Sequence, residues 1–288
     1  MLKRTVTGAI YVAIIVGFFF LRDVDYRLFD ILTFFFCAIG TFEVARAVKQ
    51  YLYKGNFTLS VIFGCVFVPI FFVFENYTPF RGVYACLILS AAAVLLQAIF
   101  TAVKKNDLGR QAFHAFCVNV LPFIYPSLLL LILLLANAYK YGFVCLLLIF
   151  VISPCADTFA YLVGMTYNKI RKGKAKKMCP NLSPKKTWAG AIGGILGGII
   201  GAIAVYFAVD KTDISTTAKI SPVIIFIIAG ALASVFTEIG DLFESYIKRK
   251  VGLKDMGKIM PGHGGIMDRI DGMTFAAVIV YCLFVLLL

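Results

Sequence analysis

The sequence predicts an all-α integral membrane protein, a polytopic bundle of about nine transmembrane helices. Two observations indicate this class. Of the 288 residues, 61% are hydrophobic and only 15% are charged, whereas apolar residues make up roughly half of an ordinary soluble domain. The apolar residues also come in long blocks, several of them near the roughly 20 residues that a helix needs to cross a hydrocarbon core of about 30 Å. The membrane is therefore the expected solvent of this chain.

The apolar blocks give the expected spans in chain order. The first block follows Lys3 and Arg4 as a secretory signal would, but no small-x-small cleavage site precedes Arg22, so we interpret it as a membrane anchor. The second block carries Glu43 and Arg46 near one end. The predicted spans are residues 5–21, 29–48, 57–74, 82–103, 112–136, 141–164, 188–209, 222–243 and 273–288.

The distribution of basic residues predicts the orientation of these spans. Of the 28 Lys and Arg residues, 22 lie at the N-terminus or after an even-numbered span, and six lie in the other segments. Such a bias marks the cytoplasmic side, so we expect a cytoplasmic N-terminus and a C-terminus outside. The net charge of +13 does not indicate nucleic-acid binding, because these residues flank spans, where anionic lipid head groups are the commoner partner.

Glycines recur at a spacing of four along the seventh span. This spacing places them on a common helix face, where another backbone can approach closely. A phosphate-binding loop would instead need free backbone N–H groups, which a continuous helix has already used. The pattern therefore predicts tight helix packing by two series of glycines, Gly190, Gly194 and Gly198, and Gly193, Gly197 and Gly201.

Carboxylates occur where lipid would be expected, and such groups often mark a functional path. Asp157 lies in the sixth span. Near the end of the eighth span, Asp241 and Ser245 are four residues apart and share a helix face, with Glu244 and Lys248 close by. Taken singly, each aspartate is equally consistent with an ion pair or a helix cap in the bundle and with a catalytic role.

The segment after the eighth span carries a denser set of polar groups. It combines cations that can pair with phosphates, the Gly-rich run 262–265 that includes His263, and two aspartates, Asp268 and Asp271. These aspartates share a helix face if the ninth span begins there. Carboxylate oxygens beside Lys and Arg suit a magnesium–polyphosphate complex. A solvated charged loop would explain the charges but not the glycines beside closely spaced aspartates.

A second basic segment precedes the seventh span. Its early part, 169–180, is rich in Lys and Arg and is typical of a solvated or lipid-contacting loop. Ser183, Lys185 and Lys186 come directly before a predicted helix, whose N-terminus carries a partial positive charge. We therefore expect phosphate contacts from these three residues.

The segment 245–271 closely resembles the signature of the phosphatidate cytidylyltransferases, also called CDP-diacylglycerol synthases. The resemblance extends over 153–280 and includes Asp157 and the run 183–188. Ala189 stands where this family usually has Glu, and the basic stretch 169–180 is longer than is typical. The signature residues present are Ser245, Lys248, Arg249, Lys254, Asp255, Gly257, Pro261, His263, Gly264, Gly265, Asp268, Arg269 and Asp271.

The resemblance implies a membrane enzyme, often a homodimer, that transfers CMP from CTP to phosphatidate and releases pyrophosphate. It also implies magnesium, with potassium as a second cation. We expect Asp241 and Asp268 to bind the metal directly, with Asp271 and Asp157 as further or outer ligands. The catalytic set is predicted to be Asp241, Lys248, Asp268 and His263. The predicted phosphate-binding set is Ser183, Lys185, Lys186, Ser245, Lys248, Arg249, Lys254, Asp255, Gly264, Gly265 and Arg269.

The sequence also predicts two regions of the chain, a cellular location and a set of alternative functions. Residues 1–150 are predicted to form an N-terminal multi-span region and residues 151–288 a catalytic membrane region. The expected location is a bacterial cytoplasmic membrane, with lipids around the chain and the active site facing the cytoplasm. A polyprenol kinase, an archaeal-type CDP-lipid synthase and an ion-coupled transporter remain alternatives. A transporter is disfavoured because no internal repeat is visible and the polar groups cluster on one side.

Overall fold

The computed structural model describes residues 2–51, 58–75, 79–105, 110–209, 220–262 and 264–288, and these are almost entirely helical. The predicted all-α membrane class is confirmed. The helices are α1 (Leu2–Val24), α2 (Arg27–Tyr51), α3 (Thr58–Glu75), α4 (Pro79–Lys105), α5 (Arg110–Phe123), α6 (Leu129–Ala138), α7 (Gly142–Ile170), α8 (Trp188–Ala208), α9 (Pro222–Lys250) and α10 (Met267–Leu287).

Helix length alone does not fix the number of membrane spans. Within the described residues, seven helical stretches are long and apolar enough to cross a membrane. The apolar parts of α3 and α4 are shorter, Ser60–Phe74 and Tyr84–Ile99. The count of nine and the orientation of the two termini therefore stay predictions.

The predicted span 112–136 is interrupted in the structure. A π-helical turn, Ile124–Leu128, separates α5 from α6, and Tyr125 within it leaves helical geometry at φ −101° and ψ 76°. The cause is Pro126, which has no N–H to donate and whose ring crowds the preceding turn. The two helices are thus one apolar stretch with a proline-induced kink.

Two further boundaries differ from the expected ones. Helix α9 continues to Lys250 and not to residue 243, and α10 begins at Met267 and not at residue 273. The last turn of α9 carries Lys248, Arg249 and Lys250, which interact favourably with the negative end of the helix dipole. The helices therefore extend beyond the apolar segments that predicted them, and most of the signature lies on them or between them.

The chain divides into two compact units. The N-terminal unit comprises Met1–Ala138 with Lys248–Arg269. Helix α2 is its central element, because it packs against α1, α3, α5, the π turn and α6. Buried hydrogen bonds stabilise this packing; for example, the Thr41 and Ser127 hydroxyls lie 2.7 Å apart. The predicted functional division at residue 150 stays a prediction.

The C-terminal unit comprises Tyr139–Ile247 with Ile270–Leu288. Between α7 and α8 it contains a short antiparallel hairpin of β1 (Lys177–Cys179) and β2 (Ser183–Thr187), which the sequence did not predict. Thr187 ends β2 and caps α8, since its hydroxyl accepts a 3.0 Å hydrogen bond from the Gly190 N–H. The hairpin therefore leads its lysines directly to the start of α8.

The glycine series of α8 packs as predicted. A Cβ on Gly197 would lie 2.5 Å from the Cβ of Phe159 in α7. A Cβ on Gly198 would overlap the Ser234 hydroxyl of α9. Most glycines of both series face α7, whereas Gly198 faces α9. The absence of side chains thus allows both helices to approach the α8 backbone.

Candidate active site

Three carboxylates meet between α9 and α10 in the C-terminal unit. Asp241, Glu244 and Asp271 each offer an oxygen, and these oxygens lie within 4.8 Å of one another. A glycine adjoins each aspartate, and a Cβ on Gly240 would lie 2.6 Å from the Asp271 carbonyl oxygen. The close approach of the two backbones at Gly240 and Gly272 is therefore what brings these acidic side chains, which we call the carboxylate cluster, together.

The chemistry of the carboxylate cluster suits a divalent cation. Glu244 is 0% exposed, and its carboxylate lies beside those of Asp241 and Asp271. Negative charges this close repel one another, and a bound cation relieves that repulsion. Oxygen atoms are the ligands that Mg²⁺ and Ca²⁺ prefer. The cluster thus fits a hard divalent metal, because its donor atoms are carboxylate oxygens and because it lacks enough positive charge of its own.

Lys186 supplies a positive charge beside the carboxylate cluster. Its Nζ lies 2.5 Å from Oε2 of Glu238 and 2.5 Å from Oδ2 of Asp241. Burial lowers the pKa of the lysine, but the two carboxylates outweigh this effect and raise the pKa above its ordinary value. Lys186 is therefore a cation at neutral pH, positioned by two acidic partners.

A cavity of about 410 Å³ opens next to Lys186. Lysines from the hairpin line one part of it, and acidic residues of α7 and α9 line another. The structure thus brings Asp157, Lys185, Lys186 and Asp241, all of them predicted site residues, to the same cavity. A volume of this size falls within the range of small-molecule sites. The lining residues include Asp157, Asn168, Lys177, Lys185, Lys186 and Asp241.

Asp268 has different surroundings, which belong to the N-terminal unit. Its Oδ1 lies 2.9 Å from Nζ of Lys248, and its Oδ2 accepts hydrogen bonds from the N–H groups of Met256 at 2.9 Å and Gly265 at 2.8 Å. Gly264 next to it has φ of +85°, a conformation that glycine adopts without strain. Asp268 therefore ties together the signature loop, residues 251–266, and the end of α9.

The roles predicted for the other site residues stay predictions. Arg249, Lys254, Asp255 and Arg269 are exposed, and Ser183 and Ser245 are partly buried. The prediction for His263 lies outside the described residues. The predicted role of Asp268 as a direct metal ligand also stays a prediction, and each of its oxygens already has partners within the chain.

Two acidic residues of this site were not among the predicted site residues, although one of them, Glu244, was expected to lie close to Asp241. Glu238 binds Lys186, and Glu244 belongs to the carboxylate cluster. The signal was present, because 238, 241 and 244 are three residues apart in one span and such a spacing places carboxylates near one another on a helix.

The fold and the site together define a polytopic membrane protein with a carboxylate cluster and a lysine-lined cavity. Comparison with protein families then narrows this class. The sequence model described as the cytidylyltransferase family matches residues 2–287, so the chain belongs to that family. The match is wider than the resemblance over 153–280, and it includes the helices of the N-terminal unit.

Curated relatives agree with the family. A protein of Rickettsia conorii named phosphatidate cytidylyltransferase is 29% identical over 228 residues, which is 79% of this chain and 91% of the relative. A protein of the same name from Rickettsia felis is 28% identical over 245 residues, 84% of this chain and 100% of the relative. One from Brucella abortus is 34% identical over 148 residues, 51% of this chain and 49% of the relative.

Proposed function

We propose that this chain transfers the CMP moiety of CTP to phosphatidate, forming CDP-diacylglycerol and releasing pyrophosphate. The observation that carries the proposal is the position of Lys186, which lines the cavity and also bridges Glu238 and Asp241 of the acidic site. A polyphosphate–metal complex needs this combination of a cation and carboxylates in one place. Membership of the cytidylyltransferase family makes CTP the corresponding nucleotide.

Asp241, Glu244 and Asp271 are the residues proposed to hold the divalent metal, taken to be Mg²⁺. Asp157, which lines the adjoining cavity with Asp241, is proposed as an outer ligand. When bound, the metal would neutralise phosphate charge and align the reacting groups. Potassium is retained as a proposed second cation, with no residues assigned to it.

The chain's own residues have a limited chemical task. A phosphate oxygen of phosphatidate forms a bond to the α-phosphorus of CTP while the bond from this phosphorus to the bridging oxygen of the β-phosphate breaks. Because the nucleophile is already an anion, alignment and charge neutralisation matter more than a strong base. Lys186 and Lys185 are proposed to bind the triphosphate, and the positive charge of Lys186 would stabilise the departing pyrophosphate.

The signature loop is proposed to contribute further phosphate contacts. Its exposed cations, Lys254 together with Arg249 and Arg269 on the adjoining helices, can form charge-assisted hydrogen bonds with phosphate oxygens. Lys248 already pairs with Asp268, and this pair is proposed to order the loop. Ser183, Ser245, Asp255, Gly264, Gly265 and His263 stay in the proposed phosphate-binding and catalytic sets.

The cellular setting follows from the relatives and the charge distribution. The relatives described above are bacterial, so a cytoplasmic membrane is the proposed location. The bias of basic residues supports a cytoplasmic position for the two large basic segments, 169–186 and 245–271, where CTP is available and phosphatidate head groups are accessible. Membrane lipids and a second copy of the chain are the proposed partners.

The direct experiment uses the full chain, purified in detergent or reconstituted in nanodiscs. With CTP, phosphatidate and Mg²⁺ it should form CDP-diacylglycerol and one pyrophosphate per product, and chelation of Mg²⁺ should stop both. Release of CDP with phosphorylation of the lipid would instead indicate a kinase. Turnover with an archaeal-type unsaturated ether lipid but not with phosphatidate would indicate the CDP-lipid synthase alternative. Ion flux without any use of CTP would support the transporter.

A further inference from the structure

Glu43 is a buried carboxylate in α2, and the proposed reaction assigns no role to it. It is 3% exposed, although it lies in an apolar span, where a charged side chain is costly without partners. The partners come from the opposite end of the sequence. Oε2 accepts a 2.9 Å hydrogen bond from the Met267 N–H, and Oε1 accepts a 3.2 Å hydrogen bond from the Ile266 N–H. All three residues belong to the N-terminal unit.

These hydrogen bonds lie at the start of α10. Met267 is the first residue of that helix, and the first N–H groups of a helix have no partner within it. A carboxylate there satisfies these donors and interacts favourably with the positive end of the helix dipole. Glu43 thus caps α10 from a helix that lies more than 200 residues earlier in the chain.

Two glycines of the signature loop leave room for this carboxylate. A Cβ on Gly257 or on Gly265 would overlap the Glu43 carboxylate. Gly265 also donates its N–H to Asp268, so one side of this glycine contacts the acidic residue that ties the loop to Lys248 and the other side contacts Glu43. The loop is therefore attached at two points, by Asp268 from within the signature and by Glu43 from outside it.

We infer that Glu43 is a positioning residue of the cytidylyltransferase reaction. It holds the signature loop and the first turn of α10 in the geometry that phosphate binding and transfer require. The inference rests on the proposed function for the importance of the loop, but the contact itself is independent of that function. It also gives two signature glycines a specific role, since they accommodate the carboxylate.

The first test compares Glu43→Gln with the wild-type chain in nanodiscs. Glutamine keeps the length but turns one acceptor oxygen into an NH₂ donor that faces a backbone N–H. We expect kcat/KM for CTP to fall about 10- to 100-fold, since small displacements of reacting groups cost that much. Amide hydrogen exchange at Ile266 and Met267 should become faster. Asp23→Asn, the same change at an exposed position in α1, should alter neither quantity.

The second test is a double-mutant cycle, and it remains informative if Glu43→Gln folds poorly. Gly265→Ala should lower activity because its methyl group displaces the carboxylate. In the Glu43→Ala/Gly265→Ala pair the space is free, so the second substitution should cost far less than it does alone. Gly17→Ala, at a helical glycine with open space around it, is the matched control. Losses that simply multiply in the pair would overturn the inference.

The outcomes separate this inference from the proposed function. A wild-type chain without CTP- and phosphatidate-dependent turnover would remove the proposed function, while the exchange measurement would still test the contact. An active wild type with an equally active Glu43→Gln variant would remove the positioning role alone, whether or not protection at Ile266 changes. Loss of kcat/KM together with loss of protection supports the inference.

Discussion

Asp241 and Asp268 bear the same functional group in different surroundings. Asp241 shares a cluster with two other carboxylates and touches Lys186. Asp268 instead accepts two backbone hydrogen bonds and pairs with Lys248. A carboxylate among other carboxylates needs a cation, whereas one with several donors is already satisfied. We therefore propose metal binding for Asp241 and loop organisation for Asp268.

This assignment predicts that the two aspartates respond differently to amidation. Asp241→Asn should weaken Mn²⁺ binding, measured by electron paramagnetic resonance, and lower turnover at least about 100-fold. Asp268→Asn should lower turnover while Mn²⁺ affinity stays close to that of the wild type. Equal losses of Mn²⁺ affinity in the two variants would restore Asp268 as a direct ligand.

Glu244 gives a sharper test of the carboxylate cluster, because the sequence alone did not single it out. Glu244→Gln leaves the shape of a fully buried side chain almost unchanged but removes one charge from the proposed metal site. We expect weaker Mn²⁺ binding and a higher Mg²⁺ requirement for turnover. Wild-type Mg²⁺ dependence in this variant would exclude Glu244 from the site, and Asp23→Asn serves as the exposed control.

The ion pairs of Lys186 predict a pH dependence. The pKa of this lysine is raised above its ordinary value of 10.5. Its stabilising contribution is therefore fully present below the unfolded-state pKa and is lost only as pH rises through the higher folded-state pKa. The difference in melting temperature between wild type and Lys186→Gln should be constant from about pH 6 to pH 9 and should shrink above about pH 10.5. A difference that changes near pH 7 would contradict this.

The side chains of the site could be predicted from the sequence only in part. Asp157, Lys185, Lys186 and Asp241 were predicted from intramembrane charge and motif spacing, and they share one cavity. Which carboxylates group together could not be predicted, since that depends on where α9 and α10 cross. Glu43 was visible as a charge near one end of an apolar span, but its partners lie far away in sequence and could not be deduced from spacing.

At the scale of the elements, hydropathy predicted the positions of the helices more accurately than the residues at which they begin and end. The apolar blocks predicted the spans because burial in lipid depends on composition along the chain. The extension of α9 to Lys250 and the start of α10 at Met267 depend on capping and charge at the helix ends. The hairpin β1–β2 was not predicted, because its strands are only three and five residues long.

The packing of α8 against α7 yields a prediction for this pair of helices. Gly197→Ala would place a methyl group 2.5 Å from the Phe159 Cβ and 2.7 Å from the Cys155 carbonyl oxygen, so the helices must move apart. We expect a loss of roughly 1–3 kcal/mol in stability, measured as a lower melting temperature in detergent. Gly17→Ala, which meets open space, should melt like the wild type.

At the scale of the whole molecule, the orientation in the membrane was predicted from charge alone, and this prediction can be tested directly. A periplasmic-type reporter such as alkaline phosphatase, fused after Leu288, should be active if the C-terminus lies outside as expected. The same reporter fused after Lys258, within the signature loop, should be inactive. The opposite pattern would invert the predicted topology and move the proposed active site to the other face of the membrane.

The crossing of α9 and α10 at Gly240 and Gly272 has a thermodynamic consequence. The residues proposed to hold the cation adjoin the glycines at which two helices of the C-terminal unit touch, so cation binding and folding of this unit would be linked equilibria. A cation present at about 100 times its dissociation constant would add about 2.7 kcal/mol to the free energy of unfolding. The melting temperature should therefore rise with Mg²⁺ concentration even in the absence of CTP and lipid substrate. In Glu244→Gln this rise should be smaller, which would make heat resistance a measure of metal occupancy.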